Sequence, residues 1–321
     1  MRRCLTLLLL LFAVNAWATC NLTLRNSVQS CYVGIRLYEV LVPSIYKSNG
    51  PMIIAYHGKG DTAANFSSTS GLIATAKKYG YVIVFPQGEV SDDGTRTWNG
   101  YWNPFFIKTP PPDDVTFTAS IIAALESGLA VNPKQIFLTG FSNGGWIEHR
   151  VAIELGTEIA AISTMGSGPW IEPAGQHDTM PSALTPVSVL ILFDDSGVAN
   201  GGSLYCGGLY SADNTTRAGA DDSFNFWMGA DKATPNTSTQ LCTGEGGQPT
   251  SLNMKSATGG LSNTEVQFYR LIGGIHKWYA AAALNIAPGN KTNPYNPNFS
   301  STTGTTTVDI VSKFLLAHPK P

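Results

Sequence analysis

Ser142 stands between glycines in Gly140-Phe141-Ser142-Asn143-Gly144-Gly145, after a strand-like run at residues 135–139 and before helix-like residues 146–155. A serine hydroxyl is a weak nucleophile until a histidine takes its proton, and the histidine in turn needs a carboxylate to orient it. A strand-to-helix turn tight enough to thrust the hydroxyl out of the backbone leaves room only for glycine at the flanking positions. The pattern therefore predicts a nucleophile elbow with Ser142 as the attacking group in acyl transfer. The plain alternative is a glycine-rich turn with an idle serine, since 33 of the 321 residues are glycine. The preceding strand, the following helix and partners in the right chain order favour the elbow.

The chain has five histidines, and their positions sort them. His57 ends an apolar run and belongs to a glycine-rich loop. His149 lies inside the helix after the elbow, where packing is the simpler explanation. His177 precedes the candidate acid, and His318 sits at the C-terminal fringe. His276 follows the last strand-like run in Gly273-Gly274-Ile275-His276-Lys277-Trp278, where a strand-end loop would deliver a base. The acid belongs at the end of the strand between nucleophile and base. Residues 187–193 run into Asp194-Asp195, and Asp195 is preferred, with Asp194 beside it as the alternative. The oxyanion needs two backbone N–H donors. One is expected from Asn143, the other from Lys59 in His57-Gly58-Lys59-Gly60. Trp98, Trp102, Trp146 and Trp278 are candidate substrate contacts, although each tryptophan could equally belong to the core.

These groups need a scaffold, and the chain alternates strand and helix patterns. Strands are expected at 35–42, 52–56, 81–85, 135–139, 159–164, 187–193 and 265–271, and helices around 72–79, 114–129 and 308–316. That order specifies an α/β fold with a mostly parallel central sheet covered by helices on both faces, and its chemistry collects beyond the carboxyl ends of the strands. Residues 87–112 form a long aromatic and proline-containing loop. Residues 196–260 read as a polar, glycine-rich insertion near the active site.

Residues 1–18 read as a signal peptide: Arg2 and Arg3, an apolar core, then Ala16-Trp17-Ala18 as a cleavage site. Residues 19–321 are then the catalytic domain, either secreted or periplasmic. Cys20, Cys31, Cys206 and Cys242 remain, an even number that suits disulfides in an exported chain. Three pairings are open, and proximity favours Cys20 with Cys31 and Cys206 with Cys242. Charged residues make up 13% and the formal net charge is −2, which excludes the basic footprint of a nucleic-acid binder and offers no patch for anionic membranes. No C-x-x-C spacing points to a metal or redox site, and neither metal nor cofactor is expected.

With these residues placed, the chain resembles the polyhydroxybutyrate depolymerase-like esterase family, which also takes in feruloyl and acetylxylan esterases. The likeness is carried by Ala55-Tyr56-His57-Gly58-Lys59-Gly60-Asp61-Thr62-Ala63-Ala64-Asn65-Phe66, by Trp98-Asn99, by Asp113-Asp114-Val115 with Phe117, by the Ser142 elbow and by Gly273-Gly274-Ile275-His276-Lys277-Trp278. It implies an α/β-hydrolase fold, a triad of Ser142, Asp195 and His276, and no metal. The chain departs from the family pattern before the acid, where Phe193-Asp194-Asp195 shortens the usual turn, and after Trp278, where Tyr279 replaces the frequent proline. The expected activity is hydrolysis of short-chain hydroxyalkanoate esters, with feruloyl or acetylxylan ester hydrolysis as the alternative. A non-catalytic binding protein on the same fold is the rival from another class.

Overall fold

The computed structural model describes residues 20–100, 110–169, 184–194, 220–236, 254–271, 276–280 and 306–321. Twelve strands and six α-helices are formed among them. The strands are β1 (Val28–Val33), β2 (Arg36–Leu41), β3 (Met52–Tyr56), β4 (Val82–Pro86), β5 (Glu89–Val90), β6 (Arg96–Thr97), β7 (Ile136–Phe141), β8 (Ala161–Met165), β9 (Ser188–Asp194), β10 (Thr234–Pro235), β11 (Met254–Thr258) and β12 (Val266–Leu271). The helices are α1 (Ala63–Thr69), α2 (Leu72–Tyr79), α3 (Asp114–Leu129), α4 (Asn143–Glu154), α5 (Ala220–Asp231) and α6 (Thr307–Ala317).

Ten strands form one sheet in the order β1-β2-β4-β3-β7-β8-β9-β12-β11-β10. The six from β4 to β12 run parallel, and antiparallel strands extend both edges. Strands buried on both faces must be apolar throughout rather than alternating. Met-Ile-Ile-Ala-Tyr of β3 and Val-Ile-Val-Phe-Pro of β4 satisfy this and are buried at every position. Successive side chains of β3 enter different cores. Met52, Ile54 and Tyr56 pack with residues of α3, α4 and α5, whereas Ile53 and Ala55 pack with those of α1, α2 and α6. Helices therefore cover both faces, as the alternating pattern requires.

The helix starts are written in side chains. Asp113 accepts the Thr116 N–H at 2.9 Å to cap α3, Thr62 accepts the Asn65 N–H at 3.0 Å to cap α1, and Thr306 with Asp309 forms a capping box on α6. Two expectations change. The aromatic loop contains the small β5–β6 hairpin. The stretch read as an insertion contributes α5, whose Phe224 and Trp227 are buried in the main core, and β10 and β11, which continue the sheet. The Cys20–Cys31 disulfide is formed and ties the N-terminal segment to β1. Cys206 and Cys242 lie outside the described residues.

Candidate active site

The elbow lies between β7 and α4. Ser142 has φ 53° and ψ −121°, a conformation an L-residue adopts only under constraint. Its N–H donates to the Met165 carbonyl at 3.0 Å, and its own carbonyl accepts the Gly145 N–H at 2.9 Å, so the turn is gripped from both sides. The flanking glycines are a steric requirement. A Cβ on Gly140 would sit 2.3 Å from the Gly144 carbonyl oxygen, and one on Gly144 would sit 2.3 Å from that of Tyr56 and 2.5 Å from that of His57. Helix α4 begins at Asn143, directly after the serine and three residues earlier than the sequence pattern indicates. Gly144 and Gly145 are thus helical, and both are close-packed.

His276 Nε2 lies 2.8 Å from Ser142 Oγ, within reach for proton transfer. Its ring packs on Phe141, with centroids 4.9 Å apart. The segment carrying it is anchored just beyond, where the Trp278 indole donates to the Ser70 carbonyl at 2.8 Å and the ring meets Phe66 edge-on. Asp195 lies outside the described residues. The backbone of β9 ends at Asp194, in register with Leu271 at the end of β12. These parallel neighbours thus end side by side at the carboxyl end of the sheet, one just before the expected acid and the other ahead of the expected base.

The loop expected to hold the second oxyanion donor is fixed by His57. Its ring is buried, Nε2 accepts the Gly88 N–H at 3.0 Å, and Nδ1 donates to the Gly58 carbonyl at 2.8 Å. These partners assign the proton to Nδ1. Burial lowers the His57 pKa to about 4, so the ring is neutral near pH 7. A trans peptide directs its N–H opposite its C=O. Holding the Gly58 carbonyl toward the His57 ring therefore turns the Lys59 N–H away from it. The loop is further tied to the hairpin, with the Gly60 N–H donating to Arg96 O at 2.8 Å and Lys59 Nζ paired with Asp93 at 3.3 Å.

The remaining candidates divide. Trp98 does not line a cleft: it is fully buried, its indole donates to the His57 carbonyl at 2.9 Å, and its ring meets Tyr56 edge-on. The expectation of a substrate contact there is corrected, because an aromatic ring with no exposed surface and a committed N–H cannot meet a ligand. Trp278 is half-buried and serves the anchor just described. Trp146 is half-buried in the first turn of α4, packed against Gly100, and Trp102 lies outside the described residues. His149 is buried and accepts the Trp227 indole N–H at 3.1 Å, a packing role, with burial lowering its pKa to about 3.

Three contributors escaped the sequence reading. The Asn143 carboxamide is buried against Thr97 and Trp98. Asp114, also buried, accepts the Asn99 N–H at 2.7 Å and pairs with Arg36 at 2.6 Å, and burial raises its pKa despite that partner. Arg150 donates to the Asn99 carbonyl at 2.8 Å. The helix start at Asp113-Asp114 was a visible signal, but nothing in it specified the Asn99 backbone as the target. Among the described residues no group of three or more His, Cys, Asp or Glu side chains converges to hold a metal ion.

A mostly parallel sheet covered on both faces, with a strained serine between β7 and α4, defines an α/β-hydrolase fold. The acetyl xylan esterase from Aspergillus awamori has the same fold, with TM-score 0.52 and 14% identity over 78% of this chain and 94% of that one. So does poly(aspartic acid) hydrolase-1 from Sphingomonas sp. KT-1, at 0.52 and 13%, over 79% and 95%. No protein-family profile matches the chain. Its curated relatives are esterases, in keeping with the resemblance read from the motifs. Poly(3-hydroxyalkanoate) depolymerase C of Paucimonas lemoignei is 26% identical over 59% of this chain and 42% of that protein. The putative esterase NocK of Nocardia uniformis is 26% identical over 46% and 40%, and the probable feruloyl esterase C of Aspergillus niger 26% over 46% and 52%. The chain thus spans about half, or less, of the length of these relatives.

Proposed function

We propose that the protein is a carboxylic-ester hydrolase working through an acyl-enzyme on Ser142. The observation that carries this is the 2.8 Å approach of His276 Nε2 to the Oγ of a serine held at a strained elbow. In this reading His276 takes the Ser142 proton as Oγ attacks the ester carbonyl. The N–H groups of Asn143 and Lys59 receive the oxyanion, and Asp195 orients the imidazole. The tetrahedral intermediate collapses as His276 returns the proton to the leaving alkoxide. Water, deprotonated by the same ring, then releases the acid and restores the serine.

The favoured substrates are short-chain hydroxyalkanoate esters, because the match to a poly(3-hydroxyalkanoate) depolymerase runs over 59% of the chain, against 46% for a feruloyl esterase. Feruloyl or acetylxylan esters are the second reading, supported by relatives of both kinds. The basic-then-apolar leader at residues 1–18 and the Cys20–Cys31 disulfide support export to an oxidising compartment. Initial rates of the wild type and Ser142→Ala on 3-hydroxybutyrate oligomers, methyl ferulate and acetylated xylan test the proposal. Activity on one class, abolished by the substitution, is the expected result. A folded wild type inert on every ester would shift the assignment to a binding protein on this fold.

A further inference from the structure

The two backbone donors assigned to the oxyanion lie on different parts of the chain, Lys59 beyond β3 and Asn143 at the start of α4. Catalysis by such donors depends on their mutual spacing being set before the charge develops. A continuous chain of buried hydrogen bonds runs between them, and it passes through Trp98.

At one end is the Asn143 side chain, whose residue is 1% exposed. Its Oδ1 accepts both the Thr97 hydroxyl at 2.8 Å and the Trp98 N–H at 2.7 Å, and its Nδ2 donates to the Trp98 carbonyl at 3.2 Å. The carboxamide thus meets both polar groups of one backbone residue, as a neighbouring strand would. Among side chains of this length only asparagine offers donor and acceptor side by side. At the other end the Trp98 indole donates to the carbonyl of His57, the residue whose ring sets the Gly58 carbonyl and so the direction of the Lys59 N–H. The order is Asn143 carboxamide, Trp98 backbone, Trp98 indole, His57 carbonyl and then the Gly58–Lys59 peptide. Trp98 and Thr97 are fully buried, so water does not compete for any of these bonds.

We infer that Trp98 is a positioning residue that, through the Asn143 side chain, fixes the two oxyanion-binding amides relative to each other. Asn143 then acts twice, its N–H on the oxyanion and its carboxamide on the distance to the second donor. A tryptophan present only to fill the core would need its ring and any nearby carbonyl. The observed partners are instead the residue after the nucleophile and the start of the opposite oxyanion loop. The inference rests on the ester-hydrolase reading for its catalytic consequence, but not for the linkage itself.

Trp98→Phe keeps an aromatic edge against Tyr56 and removes only the indole donor, while Asn143→Asp keeps the acceptor and removes the Nδ2 donor. With p-nitrophenyl butyrate, each variant is expected to lower kcat by roughly tenfold, less than loss of an oxyanion donor itself, with KM within about twofold of wild type. The double variant should be little worse than the poorer single one, because both cut the same link. Amide hydrogen exchange at Lys59, read on wild type and Trp98→Phe without substrate, should accelerate at least about tenfold. Unchanged exchange at Lys59, or a kcat equal to wild type in a folded Trp98→Phe protein, would overturn the inference. Should Trp98→Phe fail to fold, the same exchange comparison on Asn143→Asp decides. If wild type and Ser142→Ala prove equally inert on esters, the hydrolase reading fails, and the exchange result still judges the linkage.

Discussion

Gly144→Ala is the most severe test of the elbow, because the one added carbon has nowhere to go. Its Cβ would lie 2.3 Å from the Tyr56 carbonyl oxygen and 2.5 Å from that of His57. Both are backbone atoms of the strand and loop that lead to Lys59, with no flexible side chain to swing aside. Reaching 3.0 Å, already tighter than ordinary contact, demands a relative shift of at least about 0.7 Å between α4 and the end of β3. Overpacking of this kind costs about 1–3 kcal/mol, or about 1.5–4.5 °C in Tm for a chain of this size. The same shift separates Asn143 from the His57–Lys59 loop, and a misplacement near 1 Å in a catalytic constellation costs about 100-fold in rate. The expected outcome is thus a folded protein with lowered Tm and kcat/KM for p-nitrophenyl butyrate down about 100-fold, or about 2.7 kcal/mol of transition-state stabilisation. Gly229→Ala in α5 is the control: its Cβ meets nothing within 4 Å, so both quantities should hold or Tm should rise slightly. A Gly144→Ala protein with wild-type Tm and undiminished turnover would refute the close contact between α4 and the His57–Lys59 loop.

Ser142→Gly should abolish hydrolysis yet stabilise the fold by about 1 kcal/mol or more relative to Ser142→Ala, since only glycine relieves a φ of 53°; equal urea midpoints for the two would show that the turn is unstrained. Glu148 is buried behind the elbow and accepts the Ser163 N–H, and burial raises its pKa well above 4.5. A raised folded-state pKa gives stability that is complete below the unfolded value and declines as pH rises through the folded one. Glu148→Gln should therefore flatten the fall in stability as pH rises above the ordinary glutamate range, and parallel stability–pH curves would exclude the effect. Replacing both Cys20 and Cys31 by serine opens a loop spanning 11 residues and should cost about 3 kcal/mol in the chain-entropy picture. Dithiothreitol should lower the wild-type Tm by more than that of the variant, which keeps Cys206 and Cys242.

What could be read in the residues, and what could not, follows from how each element is specified. Strand β3 and helix α3 match their sequence expectations at both ends, because one is a five-residue apolar run and the other starts at an aspartate cap. Helix α5 escaped notice, since Asp, Ser, Asn and Gly interrupt the apolar face that Phe224 and Trp227 present to the core. The two-residue strands β5 and β6 are too short to leave any periodicity. The pairing of Ser142 with His276 was legible because proton transfer restricts the residue types and the fold restricts their order. Trp98 was not, since an aromatic residue near a site reads equally as substrate contact or as core. Only the three-dimensional partners of its N–H, carbonyl and indole separate those roles.

Those partners also bear on which substrates the site suits. The polar groups that shape the elbow and the His57 loop are backbone amides, hydroxyls, a carboxamide and an imidazole kept neutral by burial. Three of the charged side chains nearby are paired with opposite charges: Lys59 with Asp93, Arg36 with Asp114 and Arg150 with Glu154. Fixed dipoles of N–H groups stabilise charge that appears during the reaction without first attracting a charged ground state, which is the condition for raising kcat rather than merely tightening binding. On the proposed reading, these dipoles suit an ester that enters neutral and becomes anionic only at the tetrahedral stage.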